Sequence, residues 1–137
     1  MMPPPLPAIT ALYSALLCLL LLVLALPISR LRMRERIGIG DGDHPQLARA
    51  IRAHANAVEW VLPVLLLLLV AELNRAPPLL LHACGIVLVI ARVLHAFGLS
   101  RTAGSSSGRF AGAGLTWATL AVLAAWNLWA FVRLALR

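Results

Sequence analysis

Residues 49 to 63 read RAIRAHANAVEWVLP and run straight into VLLLLLVAEL. Arg49, Arg52, His54, Asn56 and Glu59 therefore stand at the entrance of a segment apolar enough for a lipid bilayer. On a helix turning about 100° per residue, Arg49, Arg52, Asn56, Glu59 and Pro63 follow steps of three and four and fall within an arc of about 80°. His54 and Glu72 lie off that arc. Arg92 and His95, three residues apart, form a second polar pair on one face of their own helix. A charge at the bilayer centre costs roughly 2.5–3.5 kcal/mol on insertion scales, so such a stripe must face the bundle interior, a neighbouring subunit or a wet cleft. Guanidinium groups pair bidentately with carboxylates, and their excess over carboxylate calls for an anionic ligand. Glu59 among them can hold an amine. The set suits a small zwitterion with more acid than base.

Each residue also has a plainer reading. Arg49 serves equally as an anchor at the membrane surface. Arg52, Asn56 and Glu59 fit a self-satisfied network that pins helices together. Arg92 is a natural ion-pair partner for Glu59 or another carboxylate. His54 and His95 fit core histidines bonded to carbonyls, His54 the more so. The four histidines share no ligand spacing, and no metal is expected.

The elements that must position these groups follow from composition. The 137 residues are 61% hydrophobic, against about half for a soluble domain. Four apolar stretches, 6–29, 53–73, 79–99 and 111–132, are each close to the roughly 20 residues that cross about 30 Å of hydrocarbon. Lipid offers no partners to bare backbone, so these are helices. The expectation is an all-α, integral-membrane four-helix bundle, a single domain over 1–137 without internal repeats. The N-terminal MMPPPLPAIT has no basic n-region and no small-residue cleavage site follows, so the first segment reads as a retained span. Cys18 and Cys84 fall in apolar spans and read as packing residues.

A net charge of +7, from twelve arginines and five acids, would point to nucleic acid in a soluble protein. Here it tracks topology instead. Arg30, Arg32, Arg34, Arg36, Arg49, Arg52, Arg101 and Arg109 flank one side, and only Arg75, Arg133 and Arg137 the other. By the positive-inside rule the 1–2 and 3–4 loops are cytoplasmic and both termini lie outside. The loop RMRERIGIGDGDHPQ lacks the Lys-Ser/Thr of a phosphate loop and reads as a flexible turn. Asp43 and Gln46 have the spacing of a capping pair, which starts the second helix near His44 with Pro45 in its first turn. NRAPP makes helices 2 and 3 an antiparallel hairpin, and RTAGSSSG reads as a flexible loop. Glu72 and His82 lie near the outer ends, within reach of water. Trp117, Trp126 and Trp129 suit interface or packing positions.

The helix 2 pattern, Arg49, Arg52-Ala53-His54, Asn56, Glu59 and Pro63, resembles the signature of the MAPEG family, membrane-associated proteins in eicosanoid and glutathione metabolism. ARVLHAFG, with Arg92 and His95, is similar to the family's helix 3 motif, and Arg109 stands where many members have a further arginine. The likeness extends over nearly the whole chain. It implies a homotrimer of four-helix protomers with glutathione bound between protomers near the cytoplasmic face. By this resemblance Arg52, Asn56 and Glu59 hold glutathione, with Arg49, His54, Arg92 and His95 supporting. Arg109 lies near the thiol as the catalytic cation, because a neighbouring cation favours thiolate, the nucleophilic form. A small lipophilic substrate arrives from the bilayer.

Two positions depart from the pattern. Ala55 stands where several members carry a second arginine, and Leu99 where some eicosanoid enzymes carry an aromatic hydroxyl, with Ser100 one residue away. The chain looks most like the bacterial members, which places it in an inner membrane. The resemblance implies a glutathione-dependent transferase or peroxidase. The alternatives are a non-catalytic glutathione-type binding protein, or a small proton-coupled transporter using Glu59. Against the last, the arginines around Glu59 would repel cationic drugs.

Overall fold

A computed structural model describes residues 6–101, 104 and 106–136, with the side chain of Arg101 outside that set. Four helices follow in order, α1 (Ala8–Glu35), α2 (Pro45–Leu73), α3 (Pro78–Arg101) and α4 (Ser107–Ala135). All four are long and apolar enough to cross a membrane. Their 24 to 29 residues, at about 1.5 Å per residue, exceed the roughly 30 Å of hydrocarbon, so helix ends protrude from it. The chain is the expected all-α membrane four-helix bundle.

Helices α2 and α3 pack against each other, and each packs against both α1 and α4, while α1 and α4 do not meet. The central pair therefore carries the buried core. Leu17 of α1, Val61, Val64 and Leu68 of α2, Leu81 and Leu88 of α3 and Leu123 of α4 form it. Leu19, Leu22, Leu62, Ile86, Ile90 and Phe131 face outward. Lipid tails solvate such side chains as well as a core does, so helix contacts rest on close packing of small groups. Ala53, Ala57, Ala71, Ala91 and Ala96 are accordingly buried between helices.

The helix limits differ from the hydropathy limits for local reasons. RMRE is helical, and α1 ends only where Arg36 turns left-handed at φ 55. Nothing between Ser29 and Glu35 breaks a helix, and arginine and methionine are good helix formers. The 1–2 loop is thus Arg36–His44, shorter than the apolar pattern implied. His44, not Asp43, caps α2. Its Nδ1 accepts the Leu47 N–H at 3.3 Å, and Pro45 follows in the first turn. An N-cap needs extended backbone. His44 has it (φ −91, ψ 105), whereas Asp43 is left-handed at φ 57. Helix α4 begins at Ser107, capped by the Ser106 hydroxyl, so Arg109 belongs to its first turn. The rest of RTAGSSSG lies largely outside the described residues.

The α2–α3 hairpin is closed by backbone alone. Arg75 is left-handed (φ 60). Its N–H bonds Glu72 O, and the Ala76 N–H bonds Ala71 O, both at 2.9 Å, which satisfies the last carbonyls of α2.

Glu72 does not reach for water. It is 8% exposed, and its Oε1 and Oε2 accept the N–H groups of Ile9 (2.9 Å) and Thr10 (2.7 Å). Helix α1 starts behind Pro7 with no side-chain cap of its own, so a carboxylate from another helix satisfies its free donors and meets the positive end of its dipole. His82 is likewise engaged, with Nδ1 at 2.9 Å from the Tyr13 hydroxyl. The Tyr13 ring lies flat on Gly85, where an added Cβ would come within 2.3 Å of it. Cys84 is buried as expected, but Cys18 faces outward and takes no part in the core.

Glu72→Ala should lower the stability of the bundle by about 1–3 kcal/mol, the cost of losing a cap and leaving buried donors unpaired. Thermal unfolding in detergent measures it. An unchanged midpoint would remove this role from Glu72.

Candidate functional site

Where the start of α2, the end of α3 and the start of α4 converge, a cavity of about 330 Å³ opens. Arg49, Arg52 and Asn56 of α2, His95 and Leu99 of α3 and Arg109 of α4 line it, with Ala48 completing the wall. Five of the residues singled out in the sequence are thus brought together from three helices. Arg49, Arg52 and Asn56 come together because their spacing of three and four keeps them on one face. The same rule puts Arg92, His95 and Leu99 on one face of α3.

Arg92 stands behind the cavity at 1% exposure. Its Nη1 donates to Asn56 Oδ1 at 3.2 Å and its Nη2 to Gly112 O at 3.5 Å. The expected ion pair with Glu59 or another carboxylate does not form. Asn56 lies about one turn nearer the start of α2 and takes the guanidinium instead. Arg92 joins α2, α3 and α4 at one point and orients the amide of Asn56. That oxygen accepts from Arg92, which leaves the amide N–H₂ to face a ligand.

Glu59 lies outside the cavity. It is exposed on the surface of a single chain, with no hydrogen bond or ion pair among the described residues. It precedes Leu73, the last residue of α2, by a rise of about 21 Å, which is within the roughly 30 Å hydrocarbon depth. On the same scale Asn56 lies about 26 Å, Arg52 about 32 Å and Arg49 about 36 Å from that end. With Leu73 set at the far boundary of the hydrocarbon, Arg49 and Arg52 fall beyond the near one and Asn56 just within it. His54 is half-buried and does not line the cavity.

The electrostatics are one-sided. Three guanidinium groups line the cavity and no carboxylate does. Nε of Arg49 and Nε of Arg92 are buried without a partner among the described residues. The Arg109 side chain donates to Gly104 O, which brings the 3–4 connection against the cavity. Leu99 presents an apolar surface into it, while Ser100 turns its hydroxyl back to Ala96 O at 2.8 Å. Position 99 is thus the cavity-facing one, and Ser100 does not substitute for a hydroxyl there. Arg101, expected to border this side, has its side chain outside the described residues.

Glycines set how closely the third and fourth helices approach. A Cβ on Gly112 would lie 2.5 Å from Ala91 O and 2.7 Å from the His95 nitrogen, and one on Gly98 would lie 2.6 Å from the Ser106 hydroxyl. Gly112 was not among the candidate residues. The signal that finds it is Gly108-x-x-x-Gly112, a small-residue spacing that lets membrane helices meet backbone to backbone.

Fold and site together define a four-span membrane protein with a cation-lined cavity at one end of the bundle. Residues 10–129 match the MAPEG family, and the chain belongs to that family. It is 38% identical over 84 residues to the inner membrane protein YecN of Escherichia coli strain K12, and equally to YecN of strain O6:H1. The match covers 61% of this chain, and the chain spans 63% of the length of these relatives.

Gly112→Ala should destabilise the protein by about 1–3 kcal/mol, since the methyl group meets backbone that cannot yield without moving α4. Denaturant unfolding in detergent, compared with the same change at Gly114, where nothing lies within 4 Å, measures it. Equal effects at the two positions would refute the close approach.

Proposed function

We propose that the protein is an inner-membrane, glutathione-dependent transferase or peroxidase acting on lipophilic electrophiles, assembled as a homotrimer. The observation that carries this reading is the carboxylate-free cavity walled by Arg49, Arg52 and Arg109 with Asn56 and His95. Glutathione brings two carboxylates, one amine and a thiol. Arginine forks match the carboxylates and the free amide of Asn56 adds a donor. Membership of the MAPEG family supports the ligand class. Arg109, at the mouth, is the cation placed to favour thiolate.

Glu59 supports the assembly. An exposed carboxylate at hydrocarbon depth is costly in a lone chain. A neighbouring protomer laid against that face of α2 covers it, and Glu59 then holds the ligand's amine across the subunit boundary, with the site shared between copies. The position at the membrane boundary serves both reactants, a polar thiol from water and an apolar electrophile from lipid. The thiolate sulfur attacks an electrophilic carbon, the new C–S bond forms, and the leaving group departs with its electron pair. The inner membrane is supported by the name of the YecN relatives. The two basic connections then face the cytoplasm and both termini lie outside.

A second reading, a glutathione-binding protein without turnover, is favoured by Leu99, which lines the cavity with hydrocarbon where a hydroxyl donor would serve.

Native mass measurement with and without glutathione, together with conjugation of glutathione to 1-chloro-2,4-dinitrobenzene in detergent, tests both. The expected result is a trimer that gains glutathione and releases chloride. Arg52→Ala and Arg109→Ala should each lower kcat/KM by about ten- to a hundredfold, the worth of a charge-assisted hydrogen bond. Binding without chloride release selects the second reading. A dimer indifferent to glutathione overturns both and turns attention to proton-linked transport through Glu59.

A further inference from the structure

At the end of the bundle opposite the basic cavity, the α2–α3 turn and the last turns of α4 enclose a larger cavity of about 570 Å³. Arg75, Trp126, Trp129 and Arg133 stand in its walls. The Trp126 and Trp129 rings are 4.7 Å apart, and the Arg133 guanidinium lies 4.9 Å from the centre of the Trp129 ring, a cation–π arrangement that fixes its position. Nε1 of Trp126 is buried with no hydrogen-bond partner among the described residues.

Among the described residues no side-chain carboxylate balances these cations. Of the five acids, Glu35, Asp41 and Asp43 lie at the other end of the bundle, Glu59 is midway along α2, and Glu72 has both oxygens taken by α1. Among the described residues neither Arg75 nor Arg133 has an ion-pair partner. Arg133 follows Arg109 by 24 residues on one helix, a rise of about 36 Å, so its charge clears the roughly 30 Å of hydrocarbon and lies at headgroup level. Trp126 lies about ten ångströms deeper on the same scale.

We propose that this cavity binds the phosphate of an anionic phospholipid headgroup. Guanidinium forks match phosphate oxygens in pairs. Basic pockets between membrane helices take anionic headgroups on the same physical grounds. The cavity falls in the range of about 300–1,000 Å³ usual for ligand sites and exceeds the needs of a lone phosphate. The exposed Leu134 continues the wall toward the acyl chains. A headgroup ending in an ammonium would set that cation against two arginines with no carboxylate to receive it, so phosphatidylglycerol fits better than phosphatidylcholine.

The test is native mass spectrometry of the full chain in a neutral detergent, titrated with dihexanoylphosphatidylglycerol, dihexanoylphosphatidylcholine or inorganic phosphate. Saturable binding of phosphatidylglycerol is expected, with phosphatidylcholine at least about tenfold weaker. The Arg75→Gly, Arg133→Gln double variant should lose about tenfold or more in affinity. Glycine is chosen at position 75 because the backbone there is left-handed (φ 60), so the charge is removed without straining the turn. Arg75→Lys with Arg133→Lys should retain most of the binding, which separates loss of charge from loss of fold. Equal affinity for the two lipids, or binding undiminished in the double variant, overturns the proposal. Displacement of the lipid by inorganic phosphate at matched concentration also overturns it, by assigning the site to the free anion.

Discussion

A single guanidinium holds the functional end of this bundle together. Arg92 is buried among three helices, donates to Asn56 of α2 and to the Gly112 carbonyl of α4, and comes from α3. In hydrocarbon there is no water to take those donors, so the other two helices must present acceptors at that point. The acceptor on α4 is a backbone carbonyl, reachable because Gly112 has no side chain to hold the helices apart. The amide of Asn56 is turned by the same contact. Cavity shape, amide orientation and helix spacing thus share one cause.

Pairing of buried polar groups also shapes the opposite end. Glu72 caps the first helix from outside it, and the Tyr13–His82 pair closes the gap over Gly85. Asn127 of α4 donates to the carbonyls of Leu67 and Leu123 and ties α4 to α2 toward that end. Each interhelical contact of this kind is worth under about 1 kcal/mol on average in membranes. Their value lies in register, since each specifies which turn of one helix faces which turn of the next. Against this pattern of satisfied groups, Glu59 stands out as the polar side chain of α2 that a single chain leaves exposed at hydrocarbon depth. The proposed site shared between copies would remove that exception.

The chain belongs to the MAPEG family, and its four spans meet at a basic cavity. Within that frame the cavity of this chain is plain. Leu99 turns hydrocarbon into it, Ser100 is bonded back to its own helix, and Ala55 adds no charge. Such a wall offers cations and hydrocarbon, with no hydroxyl among its lining residues.

Much of this was legible in the residues. Hydropathy alone marks four spans, because backbone in lipid must be helical. The spacing of Arg49, Arg52 and Asn56, and of Arg92 and His95, marks which groups share a face, because a helix turns by a constant angle. Neither quantity contains the distance between helices. Only the tertiary structure decided that Arg92 bonds Asn56 rather than Glu59, that Glu59 is left outside the cavity, and that Glu72 is a cap rather than a solvated end. Helix ends were also beyond hydropathy, since α1 and α2 continue past the hydrocarbon until Arg36 and His44 change the backbone. A repeating angle along one chain fixes which groups can cooperate within a helix. Which groups meet between helices depends on close approach at glycines, a matter of packing in three dimensions.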